Sequence, residues 1–227
     1  MNTNDKGFTL VELVIAMAVG LIVLSAVYAL FTVQSKHLAT QEQLAELHQN
    51  AREAMDIVVR EISMAGYNQT SSSCSSPVTA VSRCSGVTTA TNAPCAGIAN
   101  AGVDTISFVA DLNANCDTTA GVGNPSENIV YDRYHSETSS TDVFSLGRTS
   151  NGSKQPVIEY LDLLSFSYHD ANGNVTANLA DIRRVKITIV IRAANQDLNY
   201  TDPTYGDHYR RYTLSSFAFP RNLALSN

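Results

Sequence analysis

A single acidic side chain stands at the start of the longest apolar run in the chain. Glu12 closely follows Gly7 and Phe8, and no charged residue occurs between positions 13 and 31. A helix of about 20 residues crosses the ~30 Å hydrocarbon core of a bilayer, so this run is long enough to span a membrane. A carboxylate at the edge of such a segment is costly unless a cation neutralises it. The pattern therefore predicts a membrane-length helix in which Glu12 has a cationic partner.

Two simpler interpretations explain this segment less well. A secretory signal peptide has a basic start, an apolar core of roughly 7–15 residues and a small-residue cleavage site. Here the apolar run is longer, Lys6 is the only basic residue before it, and the run continues into a helical pattern. An ordinary membrane anchor fits the length but leaves Glu12 unexplained.

A second group of residues has the spacing of metal ligands. Four oxygen-bearing side chains alternate along one segment: Asp111, Asn113, Asn115 and Asp117. The first half of an EF-hand calcium loop has this spacing, which makes calcium a candidate ligand. However, Cys116 stands where glycine is usual and Val122 where the bidentate glutamate is expected, so Glu127 would have to fold back. The alternative is a hydrated turn in which these side chains cap backbone groups.

The chain contains four cysteines, all after the apolar run: Cys74, Cys84, Cys95 and Cys116. An even number in the presumed exported part predicts two disulfides in an oxidising compartment, with three possible connectivities. Because short loops close most readily, we favour Cys74 with Cys84 and Cys95 with Cys116. Zinc ligation is the alternative, but no Cys-x-x-Cys pair and no nearby histidine supports it.

One further segment combines aromatic and basic side chains within residues 195–212: Tyr200, Tyr205, His208, Tyr209, Arg210, Arg211 and Tyr212. Such groups stack on nucleobases or sugars, although loops between strands also carry tyrosines that only pack. No Gly-x-Ser-x-Gly motif, phosphate-binding glycine loop or catalytic carboxylate pair is visible, so the sequence predicts no enzyme. The net charge of −6 and the pI of about 5.3 argue against a broad basic nucleic-acid surface but leave room for a local patch.

After residue 33 the helical pattern continues in amphipathic form. Apolar residues recur at steps of three and four: Leu44, Leu47, Ala51, Ala54, Val58, Ile62 and Ala65. This spacing predicts one continuous helix, apolar over 8–33 and amphipathic over 34–66, whose stripe packs on a globular domain. Gly66 is the expected end of the helix, because glycine readily takes the left-handed conformation of a C-terminal cap.

The remainder divides into a loop region and a β region. Residues 67–103 are rich in Ser, Thr, Ala and Asn, which predicts a long Cys-containing loop. Period-two patterns then predict strands at these positions: 104–110, 128–134, 142–148, 157–168, 182–193 and 209–219. Asn172 and Gly173 mark a turn within 170–174. The predicted fold class is α+β: a long N-terminal helix packed on an antiparallel β-sheet domain at 104–227.

Residues 7–13 resemble the class III (prepilin) signal of type IV pilins and of type II secretion pseudopilins. The resemblance implies that residues 1–7 are a leader, that a prepilin peptidase cleaves between Gly7 and Phe8, and that Phe8 is N-methylated. It also implies that the Glu12 carboxylate pairs with the N-terminal amine of a neighbouring subunit during assembly. The leader contains Asp5 and a single lysine, so it is less basic than is usual in that family.

Later segments are similar to the PilW minor pilin family, at 60–67, 164–173, 182–187 and 220–223. This similarity implies a type IV pilin fold and a minor pilin that takes part in pilus assembly and initiation, at or near the tip. The implied partners are other major and minor pilins, the prepilin peptidase and the assembly machinery of the inner membrane. The implied location is the inner membrane of a Gram-negative bacterium, with the sheet domain periplasmic, and then the extracellular pilus.

Two alternatives remain open. A J-like pseudopilin of type II secretion shares the signal and the helix but serves another machine. A tip adhesin or DNA-binding minor pilin would use the Tyr/Arg loop or the Cys-containing loop. Some PilW-like proteins carry an Asp/Asn-rich loop after the first predicted strand, which adds support to the calcium hypothesis for 111–117.

Overall fold

The computed structural model describes residues 9–67, 82–83, 95–110, 127–135, 143–150 and 152–224. The chain divides into two compact units, Met1–Ala45 and Glu46–Asn227. One α-helix, α1 (Leu10–Ser63), begins in the first unit and ends in the second. Nine β-strands follow it in the described part of the second unit. A long apolar N-terminal helix followed by largely antiparallel sheets confirms the predicted α+β class of a type IV pilin-like fold.

The described part of the first unit is helical and apolar. Its large side chains between Leu10 and Val33 are exposed. By length and composition, α1 is able to cross a membrane. This agrees with the prediction from the apolar run, because an unbroken apolar helix satisfies its own backbone groups in lipid.

In the second unit, one face of α1 is buried. The buried positions recur at steps of three and four: Leu47, Ala51, Ala54, Met55, Val58 and Ile62, followed by Ala65 just beyond the helix. The predicted stripe is therefore confirmed from Leu47 onward, and Met55 adds to it. The helix ends as predicted, since Gly66 takes a φ of 78° and its N–H donates to the carbonyl oxygen of Val109 at 2.9 Å.

The strands form two sheets where the sequence predicted one. The six-stranded sheet has the order β1-β2-β3-β4-β5-β6: β1 (Ser82–Arg83), β2 (Cys95–Ala101), β3 (Thr105–Val109), β4 (Asn128–His135), β5 (Phe144–Ser150) and β6 (Ser153–Ile158). The three-stranded sheet has the order β7-β8-β9: β7 (Leu161–His169), β8 (Arg184–Arg192) and β9 (Arg211–Ala218). All pairs are antiparallel except β1 with β2. Two short helices lie outside the sheets, the 3-10 turn Leu179–Asp181 and α2 (Arg221–Ala224).

Two strand predictions need correction. The sequence assigned 67–103 to a loop, but β1 and β2 lie within it. The segment of β2, CAGIANA, has one large apolar residue, Ile98, and so lacks a hydrophobic alternation. The sequence also predicted one strand over 157–168, whereas the chain turns between β6 and β7. Tyr160 takes a left-handed φ of 58° at this turn, and its carbonyl accepts a hydrogen bond from the N–H of Arg192.

The core of the second unit lies among α1 and both sheets. Its largest buried side chains are branched or aromatic: Ile62, Ile106, Phe108, Ile129, Tyr131, Leu146, Leu161, Ile182, Ile187, Ile189 and Ile191. Strand β7 contacts β3, β4 and β5, which joins the two sheets. The Phe166 N–H also donates to the carbonyl of Val103, in the turn between β2 and β3. Burial of this apolar surface is the main source of stability.

A hydrogen bond and an ion pair attach the end of α1 to the six-stranded sheet. Glu61 accepts a hydrogen bond from the Tyr131 hydroxyl at 2.6 Å and is ion-paired with Arg148 Nε at 2.9 Å. Burial raises the pKa of Tyr131 well above its ordinary value, and the neighbouring Glu61 carboxylate raises it further. These contacts fix the position of the helix end on the sheet, because the partly buried Glu61 carboxylate needs both donors, Tyr131 and Arg148.

The C-terminal segment packs beside the same end of α1, through Leu223. Leu223 is buried, and its Cδ2 lies 2.7 Å from where a Cβ on Gly66 would stand and 3.0 Å from the same position on Gly97. Both glycines have positive φ, 78° and 124° respectively. The leucine therefore occupies a notch that exists because two backbone positions lack side chains.

This notch gives the first prediction. Gly66→Ala should destabilise the second unit by about 2–4 kcal/mol, from left-handed strain plus the clash with Leu223. Gly206→Ala is the matched control, because Gly206 has a φ of 70° with open space around it, so strain alone should cost about 1 kcal/mol. Urea unfolding followed by circular dichroism measures both. Equal losses would mean that Leu223 does not fill the notch.

Candidate functional site

The N-terminus of α1 has the geometry of a capping box. Thr9 precedes the helix, and its carbonyl accepts the first helical hydrogen bond, from the N–H of Leu13. The Glu12 N–H donates to Thr9 Oγ1 at 3.3 Å, while the Thr9 N–H donates back to Glu12 Oε2 at 3.2 Å. The Thr9 hydroxyl also donates to Oε2, at 3.1 Å. This reciprocal pair satisfies donors that a helix start otherwise leaves open, and it places the acid at the positive end of the helix dipole.

Two hydroxyl side chains within the apolar half of α1 are satisfied by the helix itself. Ser25 Oγ donates to the carbonyl of Ile22 at 2.8 Å, and Thr32 Oγ1 donates to that of Ala29 at 2.9 Å. Such bonds allow hydroxyls to remain in an apolar environment without water. The segment that follows Glu12 is therefore suited to lipid or to a packed apolar core.

Comparison with known proteins bears directly on this segment. Residues 2–28 match the family model described as the prokaryotic N-terminal methylation motif. The match covers 27 of the 227 residues and supports a type IV pilin-like protein. The motif indicates the type IV pilin or pseudopilin class, and such a signal implies processing by a prepilin peptidase and assembly with other pilins. No curated protein and no solved structure matches the chain.

Most of the other predicted site residues lie outside the described residues. Gly7, Phe8 and the calcium candidates at 111–117 lie outside the described residues, as do Cys74, Cys84 and Cys116. Cys95 opens β2, and nothing further is described of its side chain. Within the described ranges, no group of three His, Cys, Asp or Glu side chains is placed to hold a metal ion.

The Tyr/Arg loop, residues 193–210 between β8 and β9 together with the first residues of β9, is organised by internal contacts. Arg210 pairs with Asp197 at 2.8 Å and lies over the ring of Tyr200 at 4.4 Å. Arg192 lies over the ring of Tyr209 at 4.6 Å. These rings and cations therefore already stack on one another within the chain.

Arg211, at the start of β9, is the centre of this network. Its guanidinium forms a bidentate pair with Asp207, both distances being 2.6 Å, and its Nε donates to Asp162 at 2.5 Å. Asp202 lies 3.3 Å away, and the Tyr205 ring covers the guanidinium at 3.9 Å. The Arg211 side chain is 7% exposed. Its hydrogen bond lowers the pKa of Asp207 from 3.8 to about 2.

The aspartates are the part of this network that sequence reasoning missed. The sequence left open whether the tyrosines and arginines bind a ligand or only pack, and it gave the acids no part. In the structure, the arginines pair with four aspartates: Asp162, Asp197, Asp202 and Asp207. Asp197, Asp202 and Asp207 alternate with the tyrosines in the same segment. This alternation is the sequence pattern that could have indicated internal ion pairs. The geometry favours a structural role for the loop. His48 on α1 adds to the packing, since its ring lies 4.1 Å from that of Tyr212.

Proposed function

We propose that this chain is a minor type IV pilin of the PilW-like kind, which takes part in pilus assembly and initiation at or near the tip. The observation that carries the proposal is the prepilin-type signal directly before a helix whose first acid, Glu12, is held in a capping box. An ordinary anchor has no use for such an acid. The sheet-bearing second unit would then face outward from the filament core formed by the apolar half of α1.

The capping box suggests how Glu12 works in assembly. Both hydrogen bonds from Thr9 reach Oε2, and within the described residues Oε1 accepts none. The carboxylate is therefore held at the helix start with one oxygen available to the methylated amine of a neighbouring Phe8. The ion pair would neutralise both charges inside the apolar bundle, where either alone is costly.

A deletion strain tests the proposed role. Loss of the gene should abolish or strongly reduce surface pili, and the subunit should be detected by antibody in sheared pili of the complemented strain. Normal piliation with defective protein secretion would favour the alternative, a J-like pseudopilin. Normal piliation with lost adhesion or DNA uptake would favour a tip adhesin or DNA-binding pilin.

The capping box also yields a prediction. Thr9→Ala removes both contacts made by the hydroxyl and should reduce the share of subunit recovered in pili about fivefold, since a cap is worth ~1 kcal/mol. Thr9→Ser keeps the hydroxyl and should behave like the wild type. Quantitative blotting of pilus and membrane fractions measures this share, and intact mass shows that processing is unchanged. Equal recovery of Ala and Ser variants would contradict the positioning role of Thr9.

We also propose that the exported part contains two disulfides, Cys74–Cys84 and Cys95–Cys116, and that Asp111, Asn113, Asn115 and Asp117 bind calcium. Non-reducing peptide mapping identifies the disulfide pairs. Thermal unfolding with calcium and with a chelator tests the second idea, and an unchanged melting temperature would reject it.

A further inference from the structure

One face of the three-stranded sheet combines basic and aromatic side chains. We name it the aromatic–basic face and define it by His169, Arg184, Lys186, Phe217 and Phe219. The strand register aligns these residues in rows. Ser167 pairs with Lys186, which pairs with Phe217, and His169 pairs with Arg184 in the next row.

Ring contacts confirm that the side chains share one surface. The Phe217 ring centroid lies 6.2 Å from that of His169 and 6.4 Å from that of Phe219. The opposite side of the same strands carries core residues such as Val185 and Ile187, which are fully buried. The aromatic–basic face therefore points away from the core.

The two cations of this face lack acidic partners in the described part of the chain. Every ion pair of the neighbouring network involves Arg192, Arg210 or Arg211, and none involves Arg184 or Lys186. The nearest turn contains Asp170, but its carboxylate accepts the N–H groups of Asn172 and Asn174. Among the described residues, Arg184 and Lys186 thus form no ion pair, unlike the arginines of the Tyr/Arg loop.

The phenylalanines are also unusually open to solvent. Phe217 is 44% exposed and Phe219 is 52% exposed, although both lie beside a well-packed core. The neighbouring row of the same face bears hydroxyls, with Thr188 Oγ1 and Ser215 Oγ 2.9 Å apart. Within the described residues, this face combines adjacent exposed rings, cations without an ion pair and hydroxyls on one side of a sheet. Sheet proteins that stack single-stranded bases use a surface of this kind.

We propose that the aromatic–basic face binds single-stranded nucleic acid, with Phe217 and Phe219 stacking on bases and with Arg184 and Lys186 contacting phosphates. A negatively charged lipid surface is the competing partner, but rings that penetrate lipid protrude among apolar neighbours. Here they lie on and just beyond β9, beside hydroxyls that would have to be desolvated. The inference concerns a different surface from Glu12 and does not depend on the role in assembly.

Fluorescence anisotropy tests the proposal with the full-length chain in non-ionic detergent and a labelled 20-nucleotide oligo(dT). Two phosphate contacts predict that log affinity falls with log salt concentration at a slope of about −1.4. Lys186→Ala should reduce that slope by about 0.7. Arg52→Ala, which removes an equal charge from an exposed position on α1, should leave both slope and affinity unchanged.

The decisive variant is Phe217→Leu, which keeps an apolar side chain but removes the flat ring. Base stacking predicts that oligo(dT) affinity falls about 5- to 100-fold. Thermal unfolding of the variant checks that the sheet is intact. Unchanged affinity for Phe217→Leu, equal binding of a base-free polyanion such as heparin, or binding to anionic vesicles but not to oligo(dT) would each overturn the proposal.

Discussion

Glu12→Gln is expected to leave membrane insertion and cleavage intact while reducing incorporation into pili more than 100-fold. The amide still accepts the N–H of Thr9, so the start of the helix is retained, but the charge is lost. A neighbouring N-terminal ammonium would then be left unpaired in an apolar bundle, and breaking such a buried pair costs about 3–5 kcal/mol. Glu12→Ala should be at least as defective, because it also loses the cap.

The measurement compares the variant in membrane and sheared-pilus fractions at equal expression. Glu46→Gln is the matched control, since Glu46 is an exposed acid on the same helix, and it should be incorporated normally. Normal incorporation of Glu12→Gln would remove the assembly role assigned to that carboxylate. A loss of cleavage as well as incorporation would instead place Glu12 in recognition by the peptidase.

Arg211→Met should destabilise the second unit by about 3 kcal/mol. The substitution leaves the buried Asp202 and the bidentate partner Asp207 without their cation, while Asp162 keeps Arg192 at 3.7 Å. Removing one partner of a buried pair is costly. The solvent around Asp207, which is one-third exposed, reduces that cost. Urea unfolding measures the loss. Arg210→Met is the control, because Arg210 is 31% exposed and its loss from the pair with Asp197 should destabilise the protein much less.

The same network predicts an acid dependence. Arg211 lowers the pKa of Asp207 from 3.8 to about 2. The ion pair between them therefore stabilises the fold fully above about pH 4, and this stabilisation is lost as the pH falls through 2. The difference in free energy of unfolding between wild type and Arg211→Met should therefore decrease from pH 4 to pH 2, since protonated aspartates no longer need a cation. A gap that is constant from pH 5 to pH 2 would exclude charge as its cause.

Local pattern predicted much of the fold. The helical stripe from Leu47 to Ala65 and the alternation along β8 each reflect a side chain that must face a core at a fixed period. The turn at 170–174 was also predicted, because Gly173 adopts a φ of 91° and Asp170 caps the turn with its side chain. These features depend on residues close in sequence, so a single sequence is enough to predict them.

Features that depend on distant residues were not predictable. Strand β2 has little hydrophobic pattern, and its Gly97 makes sense only once Leu223 is seen beside it. β6 is a polar edge strand interrupted by Pro156, and edge strands are the least patterned. Likewise, Arg211 pairs with Asp162, 49 positions away in the sequence, and no local pattern predicts that contact.

The central claim is that residues 1–7 are a leader whose removal creates the assembling end of a pilin. Intact-mass and peptide mass spectrometry of the chain from purified pili tests it most directly. The account predicts a mature protein that begins at N-methylated Phe8, with Glu12 as its fifth residue. A protein that begins at Met1, or at an unmethylated residue further along the helix, would contradict it.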